Sequence, residues 1–285
     1  MALSPGTSAV VVTGASGGIG LATSTLLVER GFRVFGTLMD AEDSAPLERA
    51  GVTPVRLDVT STASVRAAAG RIDQPLGDAA LAGLVNNAGI AAGGAVELLD
   101  LEVLRQVFAI NVLGLVAVTQ AFLPRLRAAR GRIVNMSSVS GRLAVPFSTP
   151  YCGSKFAVEA ISDCLRREVQ AFGVDVIIIE PAVVRTPIWD KLLAQNFDHY
   201  RGTPYEPVVA RAQRTLRKNR DKGIEPIEVA RVIAHALTVV RPPIRIPVLR
   251  KRSNHFLGQW MPDWYVDRVI ARKLWKSGKP QPSRG

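Results

Sequence analysis

Tyr151 and Lys155, in the run Tyr151-Cys152-Gly153-Ser154-Lys155, are spaced to move a proton. Four residues apart, they share one face if the segment is helical. A free tyrosine ionises near pH ~10 and is a poor base at neutrality, but a cation held beside it favours the phenolate and brings its pKa toward the working range. Taken alone, the pair also fits a surface tyrosine next to a solvated lysine. The context favours chemistry: GRIVNMSSVSG reads as a strand ending in hydroxyls, and Ser138 precedes Tyr151 by thirteen residues across a loop able to fold back.

A second group suits an anion. Thr13-Gly14-Ala15-Ser16-Gly17-Gly18-Ile19-Gly20 stands between an apolar strand and a helix. Its glycines permit a tight turn and close approach of backbone to a pyrophosphate, with helix N-terminal amides aimed at it. The spacing is GxxxGxG rather than GxGxxG, and a plain strand-to-helix turn could also use these glycines.

The elements that must carry these groups alternate along the chain. AVVVTG, FRVFGTL, PVRLDV, LAGLVNNAG, GRIVNMSS and VDVIIIEP read as short buried strands, separated by amphipathic stretches. The expected fold is α/β: a single-domain, Rossmann-like, doubly wound parallel sheet with helices on both faces. The 285 residues, 47% hydrophobic, suffice for one large core. We expect a core over 9–186, an insertion over 187–222 without strand pattern, and a tail over 241–285 rich in Pro and Arg.

That tail holds most of the net charge of +12: from Arg241 on, eleven Lys or Arg face two Asp, a surplus of nine. Cys152 and Cys164 lie twelve apart in one expected helix, too far for a disulfide, so both are expected as free thiols. The first ten residues lack a signal-peptide pattern and no run of eighteen apolar residues occurs, which leads us to expect a cytoplasmic protein.

Together, TGASGGIG, the NNAG of Asn86 to Gly89, Asn111, Ser138 and the Tyr151/Lys155 pair resemble the short-chain dehydrogenase/reductase family in order and spacing, from about Ala9 to Asp190. The resemblance implies an enzyme that interconverts a secondary alcohol and a ketone with a nicotinamide cofactor. Tyr151 would be the general acid/base, Lys155 would lower its pKa and bind the nicotinamide ribose, and Ser138 would polarise the substrate oxygen, with Ser137 structural. Asn111 matches the residue that anchors a relay water, although capping is another reading. Gly14, Ser16, Gly17, Gly18, Ile19 and Gly20 would hold the pyrophosphate. Asp58 and Val59 match the adenine contact, though Asp58 also suits a turn or helix cap. Asn87, Ala88 and Gly89 would lie beside the cofactor or support the sheet. Pro181, Val184 and Thr186 resemble the stretch that meets the carboxamide, with Ala182 in place of the family's usual glycine.

Cofactor choice turns on the end of the second strand, where an acid binds free ribose hydroxyls and repels a 2′-phosphate. Leu38 and Met39 occupy the usual determinant positions, Asp40 is the nearest acid, and the glycine loop has no basic residue. NAD is favoured over NADP. No metal is expected.

Ile188, Trp189, Leu192, Leu193, Phe197, Tyr200 and Tyr205 could cover a hydrophobic ligand or simply pack on the core. The stretch from Gly141 to Glu168 is similar to members acting on steroids, retinoids and other lipophilic alcohols, which implies that substrate class. Trp260, Trp264, Tyr265 and Trp275, interleaved with Arg268, Arg272, Lys273 and Lys276, suit peripheral membrane contact or packing on the domain or a second subunit. Nucleic acid is not an expected partner; a homodimer or homotetramer is. A non-catalytic dinucleotide sensor and a sugar-nucleotide reductase or epimerase are the competing readings.

Overall fold

The computed structural model describes residues 3–40, 44–76, 79–250 and 261–274. Seven strands pair in parallel: β1 (Ser8–Val12), β2 (Arg33–Leu38), β3 (Thr53–Arg56), β4 (Ala80–Asn86), β5 (Arg132–Met136), β6 (Asp175–Pro181) and β7 (Arg245–Val248). Their order is β3-β2-β1-β4-β5-β6-β7. The winding reverses between β1 and β4, so a crevice opens at the carboxyl ends of those two strands, where sheets of this kind bind ligands.

Each residue of β1 is buried, because helices cover both faces. Val10 and Val12 pack with Leu27 of α1 (Gly18–Glu29) and Ile233 and Leu237 of the helix Pro226–Thr238. On the other face, Ala9 and Val11 join Ile72 of the helix Thr62–Leu76 and Phe122 and Leu126 of the helix Leu115–Ala128. The doubly wound architecture is as expected.

The remaining helices follow chain order. After α1 come α2 (Ala45–Arg49), α3 (Thr62–Leu76), α4 (Leu101–Phe108), α5 (Leu115–Ala128), α6 (Thr149–Val169), α7 (Pro187–Leu193), α8 (Glu206–Asp221), α9 (Pro226–Thr238) and α10 (Asp263–Leu274). A π-helical segment, Ala109–Gly114, joins α4 to α5 without a break. The resulting helix, Leu101–Ala128, is long and apolar enough to cross a bilayer by length and composition. Here it packs on β4, α3 and α6 instead.

The strand β7 corrects the boundaries read from the sequence. The stretch set apart as a tail from 241 contributes an edge strand paired with β6 from Ile178↔Arg245 to Pro181↔Val248. The core therefore runs past 186. RIPV is short, begins with a charge and holds a proline, which an edge strand tolerates. Cys152 and Cys164 both lie on α6 as free thiols.

Candidate active site

The glycine loop is held from below by the end of β4. Asn87 Nδ2 donates to Thr13 O (2.9 Å) and Gly14 O (3.0 Å), while Thr13 Oγ1 accepts from Asn87 N (2.9 Å) and Ala88 N (3.0 Å). Gly14 adopts φ +63°, and a Cβ there would lie 2.9 Å from Ala88 Cα, so no other residue fits without a shift. Gly20 lies behind the loop, packed against Gly14 O and Asn87.

The loop's outer side has the opposite character. A Cβ at Gly17 would meet nothing within 4 Å. Gly17 caps α1 in extended conformation with no side-chain acceptor, and the first turn has no acid. Those helix-terminal amides at the positive end of the dipole fit an anionic group such as a pyrophosphate.

A cavity of about 580 Å³ runs from this loop across the sheet's carboxyl end. Its wall gathers Gly14, Ser16, Gly17, Gly18 and Ile19 from the loop, then Asn87, Ala88 and Gly89 after β4. Tyr151 and Lys155 come from α6, and Pro181, Val184 and Thr186 from the end of β6 and the loop beyond it. All of these were expected from the sequence. Met136, Lys191 and Gln195 also line it and carried no such signal; Ser137, read as structural, is in the wall too.

Other expected residues stand back from this wall. Asp58 Oδ1 accepts from Thr60 N (2.9 Å) and Thr60 Oγ1 (2.7 Å), the turn role left open above. Val59 packs where a Cβ on Gly114 would lie, 2.7 Å from its Cγ2. Leu38 is buried in the core, while Met39 is 62% exposed and Asp40 follows it at the surface.

The residues expected to be catalytic are brought together by α6 and the loop after β5. The Ser138 hydroxyl is a hydrogen-bonding neighbour of the half-buried Tyr151 phenol. Ser138 Oγ also donates to Pro181 O (3.3 Å) and accepts from Ser140 N (3.1 Å), which fixes it. Lys155 is buried; its Nζ donates to Met136 O (2.8 Å) and lies 5.7 Å from the Tyr151 ring centroid. Asn111, in the π segment, accepts from Ile90 N (2.9 Å) and donates to Ile90 O (2.9 Å) and Ser154 Oγ (3.0 Å). Ser154 Oγ in turn donates to Tyr151 O (2.8 Å), so Asn111 ties the loop after β4 to the turn that bears Tyr151.

The electrostatics differ from the sequence expectation. Burial pushes the Tyr151 phenol up to about 12, with the Ser138 hydroxyl opposing, and Lys155 is not among the groups that lower it. Burial also brings Lys155 down to about 8, against the pull of Glu159. Desolvation is the largest cause for both groups, and the ammonium donates to a carbonyl oxygen rather than to the phenol.

Beyond Trp189 lies a second, more apolar cavity of about 380 Å³. Val145, Pro146 and Phe147 form one side, Leu192 and Leu193 of α7 another, and Val209 and Leu216 of α8 with Ile270 and Leu274 of α10 a third, with Phe197, Tyr200, Arg211 and Gln213 also in the wall. Arg211 Nη1 donates to Leu274 O (2.6 Å), fastening α10 to α8. Trp260, Trp275 and Lys276 lie outside the described residues, as does the side chain of Lys273.

A parallel sheet with an anion-receiving glycine loop at its switch point, Tyr151 and Lys155 on the same cavity wall and Ser138 beside Tyr151, defines a dinucleotide-dependent oxidoreductase. The chain belongs to the short-chain dehydrogenase family, whose model matches residues 8–196. It is an NAD(P)-dependent enzyme acting on CH–OH groups. It is 34% identical to human retinol dehydrogenase 5, with 95% of this chain and 89% of that protein covered. It is 32% identical to the NADPH-dependent 3-dehydrocapnine reductase of Ornithobacterium rhinotracheale, covering 93% and 97%. A short-chain dehydrogenase structure from Streptomyces avermitilis superposes with TM-score 0.75 at 28% identity, covering 96% of this chain and 97% of that one.

Proposed function

We propose that this enzyme interconverts a secondary alcohol and a ketone on a lipophilic substrate, with Tyr151 as the general acid/base. The observation that carries the substrate class is the apolar cavity behind Trp189, continuous in the chain with α7, α8 and α10. The names of the relatives, from a retinol dehydrogenase to a 3-dehydrocapnine reductase, agree on alcohol and ketone chemistry but differ in substrate.

The nicotinamide dinucleotide, when bound, gives or takes the hydride. The amides of Ser16 to Ile19 at the head of α1 would hold its pyrophosphate, and Asn87, Ala88, Gly89, Pro181, Val184 and Thr186 would flank it along the cavity. Lys155 would bind the ribose nearest the reacting carbon. Asp58 and Val59 would support the adenine end, and Asp40 would favour NAD by repelling a 2′-phosphate.

In the reducing direction Tyr151, a phenol at neutral pH, gives its proton to the carbonyl oxygen while Ser138 turns its one hydrogen from Pro181 O to the same oxygen. In the oxidising direction the phenolate form of Tyr151, which grows with pH, takes the alcohol proton. Asn111 uses its side chain to fix Ser154 and Ile90; the second lone pair of its Oδ1 is the place for a relay water. The apolar second cavity counts against a sugar-nucleotide substrate, and a mere dinucleotide sensor has no use for the Ser138–Tyr151 arrangement.

A second reading concerns the surface. Trp264 is 66% and Tyr265 44% exposed on α10, beside Arg268 and Arg272, which supports peripheral contact of a cytoplasmic protein with anionic lipid. A screen of lipophilic secondary alcohols and ketones with NAD(H) and NADP(H), read by absorbance of the reduced cofactor, tests the main reading. Turnover of apolar substrates is expected; turnover confined to nucleotide sugars, or none with either cofactor, would overturn it.

A further inference from the structure

The wall behind Lys155 holds more acid than proton transfer through Tyr151 requires. Glu159, one turn beyond Lys155 on α6, is 6% exposed, and Glu180, at the end of β6, is 3% exposed. Two buried carboxyls are costly unless paired. A single guanidinium reaches both: Arg245 Nε, from β7, lies 2.9 Å from Glu159 Oε2 and 3.7 Å from Glu180 Oε1. Its Nη2 lies 2.9 Å from Asp163 Oδ2, which also meets Arg166 through Oδ1 at 3.3 Å. Arg142, in the loop after β5, faces Glu180 as a further cation.

Glu159 and Glu180 meet at the same Arg245 nitrogen, and two like charges so close in a buried site disfavour one another's ionisation. Glu180 is the one that yields: burial first, then the nearby Glu159, raise its carboxyl to about 7. Glu159 holds the shorter contact to Arg245. It is also the group that opposes the desolvation of Lys155.

We infer that Glu159 is a positioning residue for the dehydrogenase reaction: its carboxylate, fixed by Arg245 from β7, keeps the buried Lys155 ammonium charged, while Glu180 carries the spare proton that lets both acids share one guanidinium. The inference rests on the place of Lys155 in the proposed nicotinamide site. It gives the edge strand a function, because β7 delivers the cation that holds the anion that holds Lys155.

Glu159→Gln keeps size and hydrogen-bonding capacity and removes the charge. The alkaline limb of the kcat/KM–pH profile, set in the wild type by Lys155 near pH 8, should move down by about one unit, and activity at pH 8 should fall about fivefold. Arg245→Met should move it the same way by releasing Glu159, and stands in if Glu159→Gln does not fold. Glu180→Gln, which removes the proton store without removing the Glu159 charge, should move it least. Side-chain NMR titration of Lys155 reads the same shift without turnover, so a failed substrate assignment cannot be mistaken for failure here. A Lys155 titration that is unchanged in folded Glu159→Gln or Arg245→Met, or a wild-type Lys155 neutral at pH 7, would overturn the inference.

Discussion

Trp189 stands edge-on to Tyr151, their ring centroids 6.4 Å apart and their planes at 67°, and among the described residues it is the one side chain lining both cavities. Its indole Nε1 donates to Val184 O (2.8 Å), which holds the ring between the proposed reaction centre and the apolar chamber. The substrate's reacting carbon and its apolar body would therefore meet at this ring. Trp189→Ala should raise KM for bulky lipophilic substrates and let poorly fitting ones react, changing the ratio of kcat/KM between long and short substrates about tenfold. Equal effects on both would show that Trp189 does not partition them.

Tyr151→Phe removes one hydroxyl and little volume, so cofactor binding should persist while turnover falls at least ~10²-fold. The sign of the pH response follows from the raised phenol. With Tyr151 near 12, the protonated form dominates at neutrality, so ketone reduction should be flat from pH 6 to 7 with respect to this group, whereas alcohol oxidation should climb with pH. Parallel pH–rate profiles in the two directions check this, and an oxidation rate that falls from pH 6 to 7 contradicts the assignment.

The sheet, the glycine loop and the Ser138–Tyr151–Lys155 group were legible in the sequence because each depends on local spacing: strands of continuous β-branched residues, glycines at fixed offsets, and an i,i+4 pair on a helix. Three features were not. β7 is four residues with a charge and a proline, too short for any periodicity. The Glu159–Glu180–Arg245 group joins a helix and two strands far apart in sequence. The upward shift of Tyr151 comes first from burial, which the spacing of Tyr151 and Lys155 does not reveal.

Asp40 follows the exposed Met39 just past β2, while the buried Leu38 faces the core, so neither residue at the usual positions can pair with a 2′-phosphate. NAD(H) should bind more tightly than NADP(H), and Asp40→Arg should narrow or reverse the difference by replacing repulsion with a charge-assisted partner. Titration of the apoenzyme with both cofactors measures it. A wild-type preference for NADP(H), as the name of the bacterial 3-dehydrocapnine reductase relative indicates for that protein, would reject the role given to Asp40.

Leu101 of α4, Leu113 of the π segment and Phe156 of α6 are 58%, 65% and 43% exposed. Apolar side chains on adjoining helices are a natural contact for a second copy. Light scattering at micromolar concentration should show a dimer or tetramer, and Leu113→Glu with Phe156→Glu should yield monomer. A wild-type protein that is monomeric at that concentration would remove this face as a subunit contact.

Removal of the residues after Arg252 tests what α10 does. The glycine loop, the catalytic group and all the cofactor-facing wall lie before it, so nicotinamide binding should survive. Ile270 and Leu274 form part of the apolar chamber and Leu274 O is held by Arg211, so loss of α10 opens that chamber to water. KM for bulky apolar substrates should rise several-fold more than KM for small ones. The outward side, with Trp264 and Tyr265 exposed beside Arg268 and Arg272, makes a separate prediction: the intact protein should bind anionic vesicles and the truncated one should not. Salt distinguishes the contributions, because charges at the surface are screened over ~10 Å at 0.1 M while buried apolar rings are not. Binding that falls steeply with ionic strength assigns the contact to the basic residues; binding that persists assigns it to the aromatic ones. Absent vesicle binding with altered substrate kinetics would leave α10 as a wall of the substrate chamber alone, and a truncated chain that fails to fold would show that the fold itself needs the packing of Ile270 and Leu274.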